Sequence, residues 1–347
     1  MYPALALARA LVARGHPAGT IRFVGARRGL EASAVPASGF DVELMPGRGL
    51  QRRLTVANLR AAWEALVALV ASFRLLGRWR PRVVVGFGGY ASLPCLVAAR
   101  LRRLPTVVHE QNAAPGLANR LAVRMGARAA VALEGTPLRG ATVTGNPVRP
   151  EIVAVERDPD PDRATVVFVG GSLGARRLNQ AALGLYDRWR RRTDRAVVHV
   201  SGRRDHDDCR VSLEGLRRPG DALRYDLVGY EEHMERLYAR AAVVVCRAGA
   251  LTVAELAASG TPAVLVPLPG APGDHQARNA RAMVDAGAAV LVTDADCDAP
   301  RLDTEVGELL ARPDRLATMG SAARAMARPD AAERLADVVE EVARGVT

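Results

Sequence analysis

The sequence predicts an α/β protein built of two doubly wound domains. Three observations carry that prediction. Short β-branched runs alternate with Ala/Leu/Arg-rich stretches of helical length along the whole chain. The alternation restarts after the Asp-Pro-Asp-Pro-Asp run at 158–162. And 347 residues exceed what one ordinary core holds.

The chain opens on a helix, Ala4–Arg14, with no strand or Gly-rich turn before it. Strands of the first half are expected at Ile21–Gly25, Val42–Met45, Val83–Gly86, Thr106–Glu110, Ala129–Leu133 and Ala141–Thr144. Helices are expected at Leu54–Arg78, Ser92–Arg103 and Gly116–Met125. The second half repeats the pattern with strands at Thr165–Val169, Ala196–Val200, Leu223–Val228, Val243–Cys246, Ala263–Pro267 and Ala289–Val292. Residues 1–150 make the first domain and 151–330 the second. Glu156–Arg163 reads as the linker, and a last helix, about Ala331–Arg344, could join either domain.

Composition excludes several classes of function. The formal net charge is +11, and all 48 basic residues are arginine. The first 150 residues hold 21 arginines against six acids, a net of +15, whereas the remaining 27 arginines face 31 acids, a net of −4. Such asymmetry points to an anionic partner for the first half: nucleic acid, membrane or phosphorylated substrate. Aromatics are only 4% of the chain, which argues against a base-stacking surface for nucleic acid. The four cysteines lack metal-ligand spacing, and no HExxH occurs, so no metal is expected. No apolar run of about 20 residues predicts a membrane span.

The second half carries the phosphate chemistry. Thr165–Asn179, TVVFVGGSLGARRLN, is a strand, a Gly-rich turn and a helix, whose free N–H groups and helix dipole suit an anion. It lacks the Gly-Lys-Ser/Thr of a Walker loop but matches GxSxG at Gly170, Ser172 and Gly174, which keeps a serine hydrolase as a rival. Arg247–Pro269, RAGALTVAELAASGTPAVLVPLP, repeats the arrangement, with Gly249–Thr252 at the helix start and Glu255 one turn in, spaced to accept from ribose hydroxyls. Two anion-ready helix starts in one domain favour a nucleotide diphosphate. Asp274, His275, Gln276 and Asn279 form a polar cluster suited to sugar hydroxyls or to capping a helix.

In the first half, VVVGFGGYASLP (83–94) and VVHEQNAAPGLANR (107–120) place polar or Gly-rich residues after strands, where doubly wound sheets bind ligands. His109 and Glu110 resemble an acid–base pair or a hydrogen-bonded core pair. The helix 54–78 repeats Trp63, Leu66/Val67, Val70 and Phe73 on one face, among Arg52, Arg53, Arg60, Arg74, Arg78, Arg80 and Arg82. That face is either core with a basic rim or a membrane patch.

Taken in order, VVGFGGYASLP, HEQNAAPGLANR, TGNPVR, VGGSLGARRLN, CRAGALTVAELAASGTPAVLVPLP and DHQARNA resemble the MurG glycosyltransferases, over essentially the whole chain. The resemblance implies a GT-B fold: two Rossmann-like domains facing a cleft, the last helix, within 331–347, returning to the first. It implies inverting transfer of N-acetylglucosamine (GlcNAc) from UDP-GlcNAc to the muramyl 4-hydroxyl of lipid I. The product is lipid II, for peptidoglycan synthesis at the cytoplasmic face of the cell membrane. UDP-GlcNAc is a substrate and no cofactor is implied; no nucleic acid is expected.

By motif position, Ser172 would meet the phosphates, Arg149 would help hold the nucleotide, and the backbone near Glu231 would read the uracil. Ala250, Leu251, Thr252, Val253 and Ala254 would line the diphosphate and sugar, and Glu255 would take the ribose. Gln276, beside His275, would read the sugar hydroxyls, with Asn112 approaching from the acceptor side. Trp63, Val67, Val70 and Phe73, with Arg60, Arg74 and Arg78, would make the membrane patch. The family begins with a strand and a GGTGGH-like loop just before the YPALALA helix. That strand and loop are expected to be missing here, with the family's base falling upstream of Met1 and His109 the candidate left nearby. Readings still open are a weakly active or inactive UDP-sugar binder, another GT-B enzyme or epimerase with the same donor, and a hydrolase using Ser172.

Overall fold

Paired valines and alanines with no polar alternation are what a sheet covered on both faces requires, and such runs form the centre of both units of the chain. The structure, a computed structural model, describes residues 1–26, 31–45, 56–89, 92–171 and 174–345, with backbone only at 56–62. One unit comprises Met1–Arg149 and Arg328–Thr347; the other comprises Pro150–Ala327.

The first unit runs α1 (Tyr2–Ala13), β1 (Arg22–Ala26), α2 (Glu31–Ala37), β2 (Asp41–Met45), α3 (Val56–Trp79), β3 (Val84–Gly86) and α4 (Ser92–Leu101). It continues with β4 (Thr106–Glu110), α5 (Leu117–Arg124), β5 (Arg128–Val131) and β6 (Thr142–Val143). Among the described residues its strands form two sheets, β1–β2 and β3–β4–β5–β6, each wholly parallel. Successive residues of a strand point to opposite faces. Val107 and Ala130 accordingly meet Leu7 and Ala10 of α1, whereas Val108 and Ala129 meet Leu96 and Ala122 on the other side.

The second unit runs α6 (Pro150–Val153), β7 (Ala164–Val169), α7 (Arg176–Trp189), β8 (Arg195–Val200), α8 (His206–Leu216), β9 (Arg224–Val228), α9 (Met234–Arg240) and β10 (Ala241–Cys246). Then follow α10 (Ala250–Ser259), β11 (Ala263–Leu265), α11 (His275–Asp285), β12 (Ala289–Leu291), α12 (Ala299–Leu310) and α13 (Pro313–Met326). The final helix, α14 (Ala331–Arg344), belongs to the first unit, where Leu335, Val338 and Val339 pack with Leu7 and Ala10.

The second sheet has the order β12-β11-β10-β7-β8-β9, all parallel. This is the dinucleotide-binding order, and it reverses between β7 and β10, where such sheets open a ligand crevice at the strands' C-terminal ends. Helix α7 shows why it folds there. Leu178, Ala181, Ala182, Leu185, Tyr186 and Trp189 recur at helical spacing and are buried against the sheet, while arginines fill the other face.

Glu156–Arg163 differs from the linker its composition suggests. Arg157 donates to the carbonyls of Gly260 (2.8 Å) and Ala241, and the Asp158 amide donates to Ala239 O, 2.8 Å away. Buried carbonyls at the ends of α9 and α10 gain donors this way, so the segment is strapped to the second unit.

Candidate functional site

The second unit holds a phosphate-ready edge because β7 and β10 end side by side, Val169 paired with Cys246 in the ladder. Each strand feeds a glycine turn and then a helix. After β7 the chain turns through Gly170, Gly171 (φ +84°) and Gly174 (φ +88°) into α7; after β10 it passes Gly249 into α10. Neither helix start has a side-chain cap, as Ala175 and Gly249 occupy the N-cap positions. Helix starts of this kind, with glycine turns before them and no N-cap side chain bonded to them, suit an anion through their backbone N–H groups and the helix dipole.

Gly170 and Gly174 are glycines for steric reasons. A Cβ on Gly170 would lie 2.7 Å from the Ala175 nitrogen, and one on Gly174 would lie 2.5 Å from the Ser201 carbonyl oxygen. Ser172 lies outside the described residues.

Around the second turn, Ala250, Leu251, Thr252 and Ala254 are half-buried and Val253 is buried, so the Val253 side chain belongs to the core. Glu255 is buried too, at 7% exposure, and its Oε2 accepts from the Tyr238 hydroxyl at 3.0 Å. Its carboxylate is thus oriented by a residue of α9, 17 positions earlier, which no local pattern reveals. Arg247 donates to the Val266 and Pro267 carbonyls and pairs with Asp294 at 2.6 Å, holding the turn against the next strand.

The cluster at 274–279 divides by burial. Gln276 accepts the Leu268 amide at Oε1 (3.0 Å), which ties the 268–276 loop to α11. His275 hydrogen-bonds the Pro272 carbonyl. Asn279 is fully buried and donates to Ala248 O at 3.2 Å. It therefore joins α11 to the turn before α10 instead of reading a sugar. Glu231, after β9, accepts the His233 amide at 2.7 Å, and the neighbouring Tyr230 ring carries the Arg203 guanidinium 4.1 Å from its centroid. Arg149 is the last residue of the first unit, its guanidinium 5.7 Å from the Tyr2 ring.

In the first unit, His109 and Glu110 at the end of β4 are not an acid–base pair. His109 is fully buried; its Nε2 donates to the Gly145 carbonyl (2.9 Å) and its Nδ1 accepts from Gln111 Nε2 (3.1 Å). Burial pushes its pKa down to about 4, against weaker opposing contributions from Gly145 and Glu110. With both nitrogens engaged and the ring fully buried, His109 is a hydrogen-bonded core residue in this structure. Glu110, 2% exposed, accepts from the Asn112 amide (3.0 Å), Asn112 Nδ2 (3.1 Å), the Gly116 amide (2.9 Å) and Asn119 Nδ2 (2.8 Å). It fixes the 111–119 loop and so presents Asn112.

Helix α3 has two apolar faces. Leu75 and Leu76 are buried, Leu76 with Ala98 and Ala99 of α4, and Ser72 lies 3.3 Å from Cys95. On the other face Trp63 is 65% exposed and Leu66, Val67, Val70 and Phe73 are exposed as well. Arg74 and Arg78 are exposed beside them, and Arg102 stacks on Phe73 at 3.9 Å. The side chain of Arg60 lies outside the described residues, as do Arg52 and Arg53. No helix among the described residues is long and apolar enough to cross a membrane. Nor does any group of three His, Cys, Asp or Glu side chains among them suit a metal ion.

The glycosyltransferase family 28 C-terminal domain matches residues 165–335 and the family 28 N-terminal domain residues 1–131. A relative from a Nocardioides species (strain JS614) is 43% identical, over 99% of this chain and 95% of its own length. It bears the name UDP-N-acetylglucosamine--N-acetylmuramyl-(pentapeptide) pyrophosphoryl-undecaprenol N-acetylglucosamine transferase. A relative of the same name from Desulforudis audaxviator is 40% identical over the same shares. The crystal structure of Acinetobacter baumannii MurG matches with a TM-score of 0.79 at 27% identity, covering 98% of this chain and 95% of that one.

The chain belongs to the MurG family. Membership displaces the serine-hydrolase reading of GxSxG. The MurG architecture is GT-B, as the sequence resemblance implied. A UDP-GlcNAc 2-epimerase from Neisseria meningitidis has the same fold, with a TM-score of 0.67 at 12% identity.

Proposed function

We propose that this chain transfers N-acetylglucosamine from UDP-GlcNAc to the muramyl 4-hydroxyl of lipid I, forming lipid II with inversion at the anomeric carbon. The observation that carries the reading is that two strands ending side by side, at Val169 and Cys246, each feed a glycine turn and then a helix start. An epimerase shares the fold, but the near full-length relatives at 40% identity and above favour transfer to a lipid-linked acceptor.

In the reaction the hydroxyl oxygen bonds to the anomeric carbon as the bond from that carbon to the β-phosphate oxygen breaks. The departing diphosphate gains negative charge. The glycine turns that lead into α7 and α10 stabilise it with backbone N–H groups and two helix dipoles. Glu255 takes the ribose hydroxyls, the backbone near Glu231 reads the uracil, and Gln276 reads the sugar. Ser172 and Arg149 complete the nucleotide contacts, and Asn112 approaches the sugar on the acceptor side. The hydroxyl proton passes to a general base.

Acting on a lipid-linked acceptor, the enzyme works at a membrane surface, and the cytoplasmic face of the cell membrane is the place this reading assigns it. The exposed Trp63, Val67, Val70 and Phe73 face of α3, with Arg60, Arg74 and Arg78, supports docking to anionic lipid.

The test is an assay of the full chain with labelled UDP-GlcNAc, with and without lipid I in detergent. Label entering the lipid with one UDP released per transfer is expected. Turnover of UDP-GlcNAc that is indifferent to lipid I overturns the reading.

A further inference from the structure

Beneath the first phosphate turn lies a chain of buried polar groups that the reaction itself does not use. Tyr225 on β9 donates its hydroxyl proton to His199 Nδ1 at 2.8 Å. His199 on β8, fully buried, therefore carries its proton on Nε2, which donates to Asn179 Oδ1 at 2.9 Å. Asn179, in the first turn of α7 and 3% exposed, is left with its Nδ2 pointing at the Ser201 carbonyl (3.0 Å) and Asp205 Oδ2 (3.3 Å). Every step has one direction. A flipped Asn179 amide would set oxygen against oxygen at Ser201 and Asp205, and Asn179 Oδ1, which can only accept, requires the His199 proton on Nε2 and leaves Nδ1 to take the Tyr225 hydroxyl proton.

The chain ends on the two atoms that seat the turn. Those same oxygens, Ser201 O and Asp205 Oδ2, lie 2.5 and 2.7 Å from where a Cβ of Gly174 would stand. The Gly170 amide donates to Val200 O, one residue before Ser201. Arg204, bonded to Asp205 at 2.6 and 2.9 Å, holds that carboxyl ionised and its pKa below the ordinary value, so it stays an acceptor. Burial lowers the His199 pKa to about 4, with His206 adding repulsion, so the ring stays neutral and keeps its single donor.

We propose that Asn179, oriented by His199 and Tyr225, is a positioning residue that sets Gly170, Gly174 and the start of α7 for the diphosphate of the nucleotide substrate. The inference rests on the diphosphate reading of that turn given above. Asn179 touches no substrate atom; it fixes the distance between the start of α7 and the Ser201–Asp205 shelf on which the turn rests. An apolar side chain there would still fill the space but would leave the shelf and turn unlinked.

The discriminating ligands are UDP and uridine, which share base and ribose and differ by the diphosphate. Calorimetric titration of the full chain should show Asn179→Ala weakening UDP about tenfold while uridine affinity stays within twofold. In transfer assays the KM for UDP-GlcNAc should rise and the KM for lipid I should not. Tyr225→Phe keeps Asn179 and the fold's volume but leaves the buried His199 Nδ1 without its donor, which loosens the ring that holds Asn179, and should weaken UDP about threefold with uridine unchanged.

Equal losses for UDP and uridine, or no loss in either, overturn the proposal. If Asn179→Ala does not fold, Tyr225→Phe decides, and an unchanged UDP-to-uridine ratio overturns it. An unmodified chain that binds UDP no better than uridine contradicts the parent reading instead.

Discussion

Taken out of water with both ring nitrogens hydrogen-bonded, His109 stays neutral through the pH range in which an ordinary imidazole gains its proton. His199 does the same in the second unit. Both folded-state pKa values lie near 4, below the ordinary 6.5, so between those limits the unfolded chain takes up protons that the folded chain refuses. Stability is complete above about pH 6.5 and falls as pH drops towards 4, by roughly 3 kcal/mol for a shift of this size at one site. Urea midpoints should therefore decrease from pH 7.5 to pH 5. His109→Gln, which keeps a donor for Gly145 but does not titrate, should show a smaller decrease; an identical pH slope would refute the assignment. Gly174 gives a second test at this scale. Gly174→Ala forces a Cβ against the Ser201 carbonyl at a positive φ, and UDP affinity should fall tenfold or more. Wild-type affinity would show that the turn is not seated as described. A core role for His109 was one of two readings its position allowed, but the partners of neither histidine were legible in the sequence. His109 sits 36 residues from Gly145, and His199 sits 20 and 26 from Asn179 and Tyr225, distances that only parallel pairing closes.

Helix α3 poses the question of which apolar face is core. Its periodicity was legible, because Trp63, Val67, Val70 and Phe73 share one side, yet that pattern suits burial and membrane docking equally. The structure separates them: Leu75, Leu76 and Ser72 face inward, and the Trp63 face stays in solvent. Trp63→Asp with Phe73→Asp should reduce co-sedimentation with phosphatidylglycerol vesicles at least fivefold without lowering the thermal midpoint. Arg74→Glu with Arg78→Glu should remove much of the salt dependence, at about 1 kcal/mol per arginine near an anionic surface. Vesicle binding unchanged by both pairs would assign this face another role. The strap at Glu156–Arg163 shows the opposite limit. Its Asp-Pro composition reads as a solvated linker, and only the reach of Arg157 to Gly260 and Ala241 shows it pinned.

At the scale of the molecule, the α/β class was legible because buried parallel strands cannot alternate polar with apolar. Val107–Val108 and Val243–Val245 place side chains on two covered faces each. Strand order was not legible residue by residue, and it is the order that makes the site. β7 and β10 are separated by two strands in sequence and neighbours in the sheet, so the Gly-rich turn after Val169 and the Gly249 turn after Cys246 flank the reversal point. The motifs announced two phosphate-ready turns, and the sheet brings the strands that feed them together as one ligand edge. The most direct test of that claim is a crystal structure of the chain with UDP bound. The account predicts diphosphate oxygens within hydrogen-bond distance of backbone N–H groups of the turns at 170–174 and 249–252. A diphosphate bound away from both turns, or UDP held by its base and ribose with the phosphates in solvent, would contradict it.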